Sequence, residues 1–304
     1  MRHIYTLGET VLDILFRNNT PVSAIAGGSM LNTAVALGRT GCLVDFICEF
    51  GNDDPGNMII KSLSENQVSA IHSVRYQGFN TSIALAFLDD SQNARYTFYH
   101  NQPTELPVII LPEFRDGDIL AFGSFYSVRP TRRQHVSSIT EKAREAGALI
   151  IFDPNVRKHH LADMPAVREI FFANMSLSNI VKGSNEDFEF LTGTSDPDGI
   201  YAVLKPFCRN LIITQGEKNV LLFTPTFRKE YVTQVISPVS TVGAGDNFTA
   251  GLIYGLVQKD ITIQRLQLLT ENEWDIFITS GIAFATATCL SMENYVPAGF
   301  NPNI

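Results

Sequence analysis

The sequence predicts an α/β fold, a mostly parallel sheet covered by helices on both faces. Three observations predict it. Short apolar runs recur along the 304 residues with helical stretches between them, several of those runs are apolar at every position, and one region alone alternates in polarity. His3–Leu7 reads as the first strand, followed by 43–50, 118–122, 148–152, 179–181, Asn210–Thr214 and Asn219–Phe223. The runs Leu149-Ile-Ile-Phe152 and Leu211-Ile-Ile213 are continuous, as in strands covered on both sides. Residues 131–146, rich in Arg, Glu and Ala and ended by Gly147, read as a helix. Segments Asn80–Leu88 and 94–100 alternate, with Asp89-Asp90-Ser91-Gln92-Asn93 as turn material. They predict a β-hairpin with one wetter face, either a lid or an edge extension of the main sheet. Neither a linker-like shift in composition nor an internal repeat interrupts the chain.

Composition narrows the function. With 45% apolar residues the chain can bury a large core, which excludes global disorder. Its 23 basic and 31 acidic residues give a net charge of −8 and a pI near 5.3. That balance is wrong for non-specific binding of nucleic acid, although backbone amides can still hold small anions. Cys42, Cys48, Cys208 and Cys289 are too scattered for a zinc site and too few for a disulfide scaffold. They read as reduced thiols of a cytoplasmic protein. The N-terminus reads as a strand, without a signal peptide's apolar stretch or cleavage site. No apolar run approaches the ~20 residues of a membrane helix.

Chemistry concentrates in two Gly-rich segments. In Ser240-Thr-Val-Gly243-Ala244-Gly245-Asp246, the apolar spacing of Phe248, Leu252 and Leu256 starts a helix close to Asp246. A Gly-Ala-Gly turn at a helix N-terminus forms an anion hole from successive amides, reinforced by the helix dipole. A carboxylate beside bound phosphate makes sense if it deprotonates an attacking hydroxyl. Asp is also a good N-cap, and spacing alone does not choose between the two. Gly51-Asn-Asp-Asp-Pro-Gly56 lacks the Lys-Ser/Thr of a P-loop, and Phe248 stands where a dinucleotide fingerprint has Gly or Ala. The second segment, Ala26-Gly27-Gly28-Ser29-Met30-Leu31-Asn32, leads into a helix whose first turn is expected to expose Asn32. An amide there can both donate to and accept from one sugar hydroxyl.

Together the segments resemble the two signatures of the ribokinase-like (phosphofructokinase-B) carbohydrate kinases, closest in motifs to fructokinases. Further stations are similar in order: Gly8-Glu9 to Asp13, the 51–56 turn, Asp153-Pro-Asn155-Val-Arg157, Val181-Lys182 to Leu191-Thr192-Gly193, and Thr214-Gln-Gly216-Glu-Lys218. The resemblance covers nearly the whole chain. It implies a doubly wound α/β domain over 1–304 with a small β lid inserted from about 10–25 and 78–104. It implies an ATP- and Mg²⁺-dependent transfer of the γ-phosphoryl group to a primary hydroxyl of a small sugar, fructose foremost. A 2-keto-3-deoxygluconate or nucleoside kinase, or a silent sugar-binding protein, are the alternatives.

Residue roles follow from the same resemblance. Asp246 is the base, and Gly243, Ala244 and Gly245 complete the anion hole. Asp13, Gly27, Gly28, Asn32, Tyr99, Asn155 and Arg157 face the sugar. Ser184, Thr214, Gly216, Lys218, Gly243 and Gly245 contact the nucleotide, and Asp187 holds Mg²⁺ through water. Beyond sugar and ATP, no nucleic acid or membrane partner is expected, and a homodimer through the lid stays open. Three positions depart from the family: Ser240 replaces the usual Asp of a monovalent-cation site, Asp187 replaces Glu, and Asn219 replaces the last Gly of the ATP loop. His100, where ketodeoxygluconate kinases often carry Arg, suits an uncharged sugar. His159-His160 reads as a solvated loop, and Glu186 and Glu189 as a solvated helical face.

Overall fold

The computed structural model describes residues 2–88, 94–105, 110–156 and 164–302. In chain order the first elements are β1 (His3–Leu7), β2 (Val11–Arg17), β3 (Thr20–Gly27), α1 (Ser29–Arg39), β4 (Leu43–Ile47), β5 (Glu49–Gly51), α2 (Asp54–Glu65), β6 (Val68–Ser69), β7 (Val74–Tyr76), β8 (Asn80–Leu88) and β9 (Ala94–Asn101). Next come β10 (Ile119–Gly123), α3 (Arg133–Glu145), β11 (Leu149–Asp153), α4 (Met164–Ser176), β12 (Ile180–Ser184), α5 (Asn185–Thr192), α6 (Pro197–Leu204) and β13 (Asn210–Thr214). The chain closes with β14 (Asn219–Phe223), β15 (Arg228–Val232), α7 (Ala244–Gln258), α8 (Ile263–Leu266) and α9 (Glu271–Cys289).

Nine strands form the main sheet in the order β15-β14-β13-β12-β11-β10-β1-β4-β6. From β13 to β6 every pairing is parallel, while β14 and β15 add an antiparallel edge. Alternate residues of each central strand enter opposite cores, as the pleat requires. Ile119, Ala121, Leu149 and Ile151 pack with α1, α2, α7 and α9, whereas Leu120, Phe122, Ile150 and Phe152 pack with α3 to α6. Both faces are therefore sealed, which explains the continuous apolar runs. The chain leaves β1 toward β4 on one side and returns to β10 on the other. That switch point opens a crevice at the carboxyl ends of the strands.

A second sheet, β3-β2-β8-β9, stands apart from the first. The alternating segments form its antiparallel β8–β9 pair, so they extend a separate sheet rather than an edge of the main one. The turn at 89–93 lies outside the described residues. The expected strand 43–50 is broken at Cys48: β4 stays in the main sheet, and β5 turns away to pair with β7. The buried Glu49 carboxylate accounts for the departure, since it meets Arg132 at 2.6 Å and the Tyr76 hydroxyl. Arg132 also donates to the carbonyls of Pro103 and Thr104, fixing the chain just beyond β9. The helix expected over 131–146 starts two residues late, after a 3₁₀ turn at Pro130–Arg132. Among the described residues all four cysteines are free thiols, Cys48 and Cys208 buried. No described helix is long and apolar enough to cross a membrane.

Candidate active site

A cavity of about 640 Å³ lies along the carboxyl ends of the main-sheet strands, bounded on one side by the second sheet. Glu9 beyond β1, Ser124 beyond β10, Asp153 of β11, Lys182 and Ser184 of β12, and Thr214 of β13 all line it. The two Gly-rich segments meet there, because α1 and α7 pack side by side with their first turns together. Ser29 donates to Oδ1 of Asp246 at 2.6 Å and Asn32 Nδ2 to Oδ2 at 2.8 Å. Thr33 fixes the Asp246 carbonyl at 3.0 Å. Asn155 Nδ2 adds a long contact to Oδ1, 3.4 Å. Burial pushes the Asp246 carboxyl above its ordinary value, and the Ser29 and Asn32 hydrogen bonds oppose that shift. Oδ2 keeps one lone pair uncommitted by these bonds, available to a ligand proton.

Asp246 is therefore not the N-cap. Gly243 caps α7 instead, with φ 79°, and a Cβ there would lie 2.1 Å from the Asn294 carbonyl oxygen. Asn247 closes the same turn, donating to the carbonyls of Gly243 and Asn294 at 2.8 and 2.9 Å. The Ala244 amide is drawn to Thr241 at 3.3 Å. Helix geometry leaves the next amides, those of Gly245 and Asp246, without a carbonyl one turn earlier, so of the expected anion hole the Ala244 amide is the one drawn to a partner within the chain. Beneath it, Lys182 Nζ sits 2.9 Å from both the Gly245 carbonyl and Oδ2 of Asp153. Thr249 donates to the same Asp153 oxygen at 2.9 Å. A charge inside the apolar strand Ile180–Ser184 was the sequence signal for this pair; its partner is set by the fold.

The remaining expected residues divide. Asp13, Gly28 and Asn155 line the cavity with Asn32, and Asp13 packs so closely on Gly27 that a Cβ there would meet Oδ2 at 2.0 Å. Asn32 is buried at 5% exposure rather than exposed, because its amide is spent on Asp246. Tyr99 points the other way: strand alternation puts it opposite Tyr96 and Phe98, and it is 58% exposed while those two line the cavity. His100 stacks on Phe98 and bonds Ser82 at 3.0 Å rather than lining the cavity. Burial and the charge of Arg129 lower its pKa, favouring the neutral ring. Arg157 and His159-His160 lie outside the described residues.

At the other end, Ser184 and Thr214 line the cavity, whereas Gly216 and Lys218 sit exposed in the turn beyond β13. Asp187 forms a capping box on α5: its Oδ2 accepts from the Ser184 amide and hydroxyl, both at 2.8 Å. Its Oδ1 accepts from the Val156 amide at 2.7 Å, which leaves room for one more donor. Burial and the nearby Asp153 charge raise its pKa, a situation that a cation in the cavity would relieve. Glu186, expected on a solvated face, also lines the cavity. Ser240 hydroxyl accepts from the Val242 amide at 3.2 Å, and the Ser240 amide reaches the Cys289 carbonyl at 3.3 Å.

Residues 4–295 match the family model described as pfkB family carbohydrate kinase. The fructokinase of Vibrio alginolyticus is 27% identical over 256 residues, 83% of either chain. Among solved structures, a double mutant of the Vibrio cholerae fructokinase with fructose, ADP and potassium ion superposes with a TM-score of 0.85. That alignment is 23% identical and covers 97% of this chain and 94% of the other. The aminoimidazole riboside kinase of Salmonella enterica gives a TM-score of 0.83 at 22% identity, covering 96% and 95%.

Proposed function

The chain belongs to the pfkB family of carbohydrate kinases, and on that premise we propose that it is a fructokinase. It would transfer the γ-phosphoryl group of ATP to a primary hydroxyl of fructose. One observation carries the reading: a buried carboxylate with one uncommitted lone pair stands at the N-terminus of α7, beside amides that helix geometry leaves unpaired. Asp13 and Asn32 hold sugar hydroxyls, and the alcohol to be phosphorylated meets Oδ2 of Asp246. Its oxygen bonds the γ-phosphorus as the bond to ADP breaks, and its proton passes to Asp246. The Gly245 and Asp246 amides take up charge on the phosphoryl oxygens. Ser184 and Thr214 flank the nucleotide end.

The residues present fit a Mg²⁺ ion held through water. Asp187 has one lone pair for a metal-bound water, and Glu186 adds a carboxylate at the same end. Such an ion supplies charge neutralisation on the ATP phosphates. The second sheet acts as a lid within one domain over 1–304, Tyr96 and Phe98 closing on the sugar and excluding water. Exposed apolar side chains of that sheet, Val22 and Tyr99, support a homodimer through the lid.

Charge favours a neutral sugar. Among the described residues lining the cavity the only cation is Lys182, which is paired with Asp153, whereas Glu9, Asp13 and Asp246 are acidic. Arg129 nearby is tied to Glu9 and Gln102 at 2.8 and 2.7 Å. A sugar acid such as ketodeoxygluconate would meet repulsion. An acceptor screen measuring ADP release with fructose, other hexoses, ketodeoxygluconate and ribosides tests the reading. The highest kcat/KM is expected with fructose, and a higher value with a riboside or sugar acid overturns it.

A further inference from the structure

Ser124 follows β10 where the sheet opens, between the ends of β1 and β11, and lines the cavity beside Glu9 and Phe125. Its backbone lies at φ 56°, ψ −173°, a combination that glycine adopts freely and a residue with a Cβ does not. Neighbours hold it there. The Ser124 amide donates to the Asp153 carbonyl at 3.0 Å, and its own carbonyl accepts from the amide and hydroxyl of Ser127 at 3.2 and 2.7 Å. A glycine would keep all three bonds without the strain.

The side chain offers no internal compensation. Ser124 is 6% exposed, and its hydroxyl has no hydrogen-bond partner among the described residues. Such groups are rare in folded proteins because burial removes their water without replacing it. Four side-chain atoms share that condition among the described residues, and two of them, Ser124 Oγ and Asn32 Oδ1, belong to residues lining this one cavity. Strain and an unpaired hydroxyl at one residue are both accounted for if a ligand completes the bond. The flanking Glu9 and Phe125 belong to the end opposite Ser184 and Thr214, so that ligand is the carbohydrate and not the nucleotide.

We propose that Ser124 is a specificity-determining residue of the sugar site, its hydroxyl bonding one hydroxyl of the bound carbohydrate while Asn32 Oδ1 bonds another. The inference rests on the carbohydrate-kinase reading but not on fructose as the sugar. The test is S124G, with S124A beside it, assayed on whichever sugar the wild-type protein turns over fastest and on its single-deoxy analogues. A different preferred sugar would overturn the fructose reading and leave this test in place.

S124G is expected to melt at or above the wild-type temperature, since glycine relieves the strain. Its KM for the sugar should rise tenfold or more, with the KM for ATP within twofold. S124A, which keeps the strain and loses the hydroxyl, should show the same rise in sugar KM without the gain in melting temperature. One deoxy analogue, lacking the contacted hydroxyl, should be used equally well by wild type and S124G. An unchanged sugar KM in both variants, or an equal loss on every analogue, would overturn the proposal.

Discussion

Lys182 Nζ bridges Oδ2 of Asp153 and the Gly245 carbonyl, 2.9 Å from each, with both charged side chains almost sealed from solvent. The contact ties the floor of the sheet to the first turn of α7, the turn whose amides are proposed to stabilise charge on the phosphoryl oxygens. An ammonium there has two effects. It compensates a buried carboxylate, and it holds the Gly245 peptide so that the helix begins in a fixed orientation.

Replacing Lys182 by Met should separate these effects. Alone it leaves Asp153 uncompensated, and breaking a buried pair in this way costs about 3–5 kcal/mol of stability. With D153N added, neither charge of this pair is left without its partner, so the denaturation midpoint should recover while kcat stays at least tenfold down. Recovery of kcat along with stability would reduce Lys182 to a structural role.

Asn32 and Asp13 are expected to differ although both are proposed to hold sugar hydroxyls. Asn32 spends its amide on Asp246 at 2.8 Å, so N32A should lower kcat as well as raise the sugar KM. D13A removes a sugar contact without touching the base, and should raise the sugar KM at nearly constant kcat. Steady-state constants for both substrates decide this. An equal rise of the sugar and ATP KM values would indicate a general packing defect instead.

The fold and the site were not equally legible in the sequence. The central strands could be read because they are covered on both faces and are therefore apolar throughout. The break at Cys48 could not, because nothing local marks the Glu49 carboxylate that pulls β5 out of the main sheet. The start of α7, with Asp246 in its first turn, was legible because Gly-Ala-Gly-Asp is a local device, set by backbone freedom at one turn. Pairings across the fold were not: Ser29 lies 217 positions from Asp246, and Lys182 lies 63 from Gly245. Tyr99 was misplaced because a strand's facing depends on a register that alternation alone leaves ambiguous by one residue.

Ser240 bears on monovalent ions. The Vibrio cholerae structure carries a potassium ion, and the resemblance of the 240–246 segment to the family signature implies an Asp at this position. Here a neutral hydroxyl stands in its place, already accepting from the Val242 amide. A cation at ~4 Å would lose about 4 kcal/mol of attraction at an effective dielectric near 20, before solvent compensates. Replacing K⁺ by tetramethylammonium at constant ionic strength should therefore change kcat by less than tenfold, and S240D should introduce a K⁺ response. A tenfold or larger K⁺ stimulation of the wild type would show that another group supplies the missing charge.

The central claim is that Asp246 takes the proton of the attacking alcohol. Its most direct test is sugar-dependent ADP release by D246N, with sugar binding measured on the same preparation by calorimetry. Asn keeps the shape of the side chain but cannot accept that proton. The account predicts sugar affinity within a few-fold of wild type and turnover reduced by ~10²–10⁴, the range for a lost general base. Turnover within threefold of wild type, with binding intact, would contradict it.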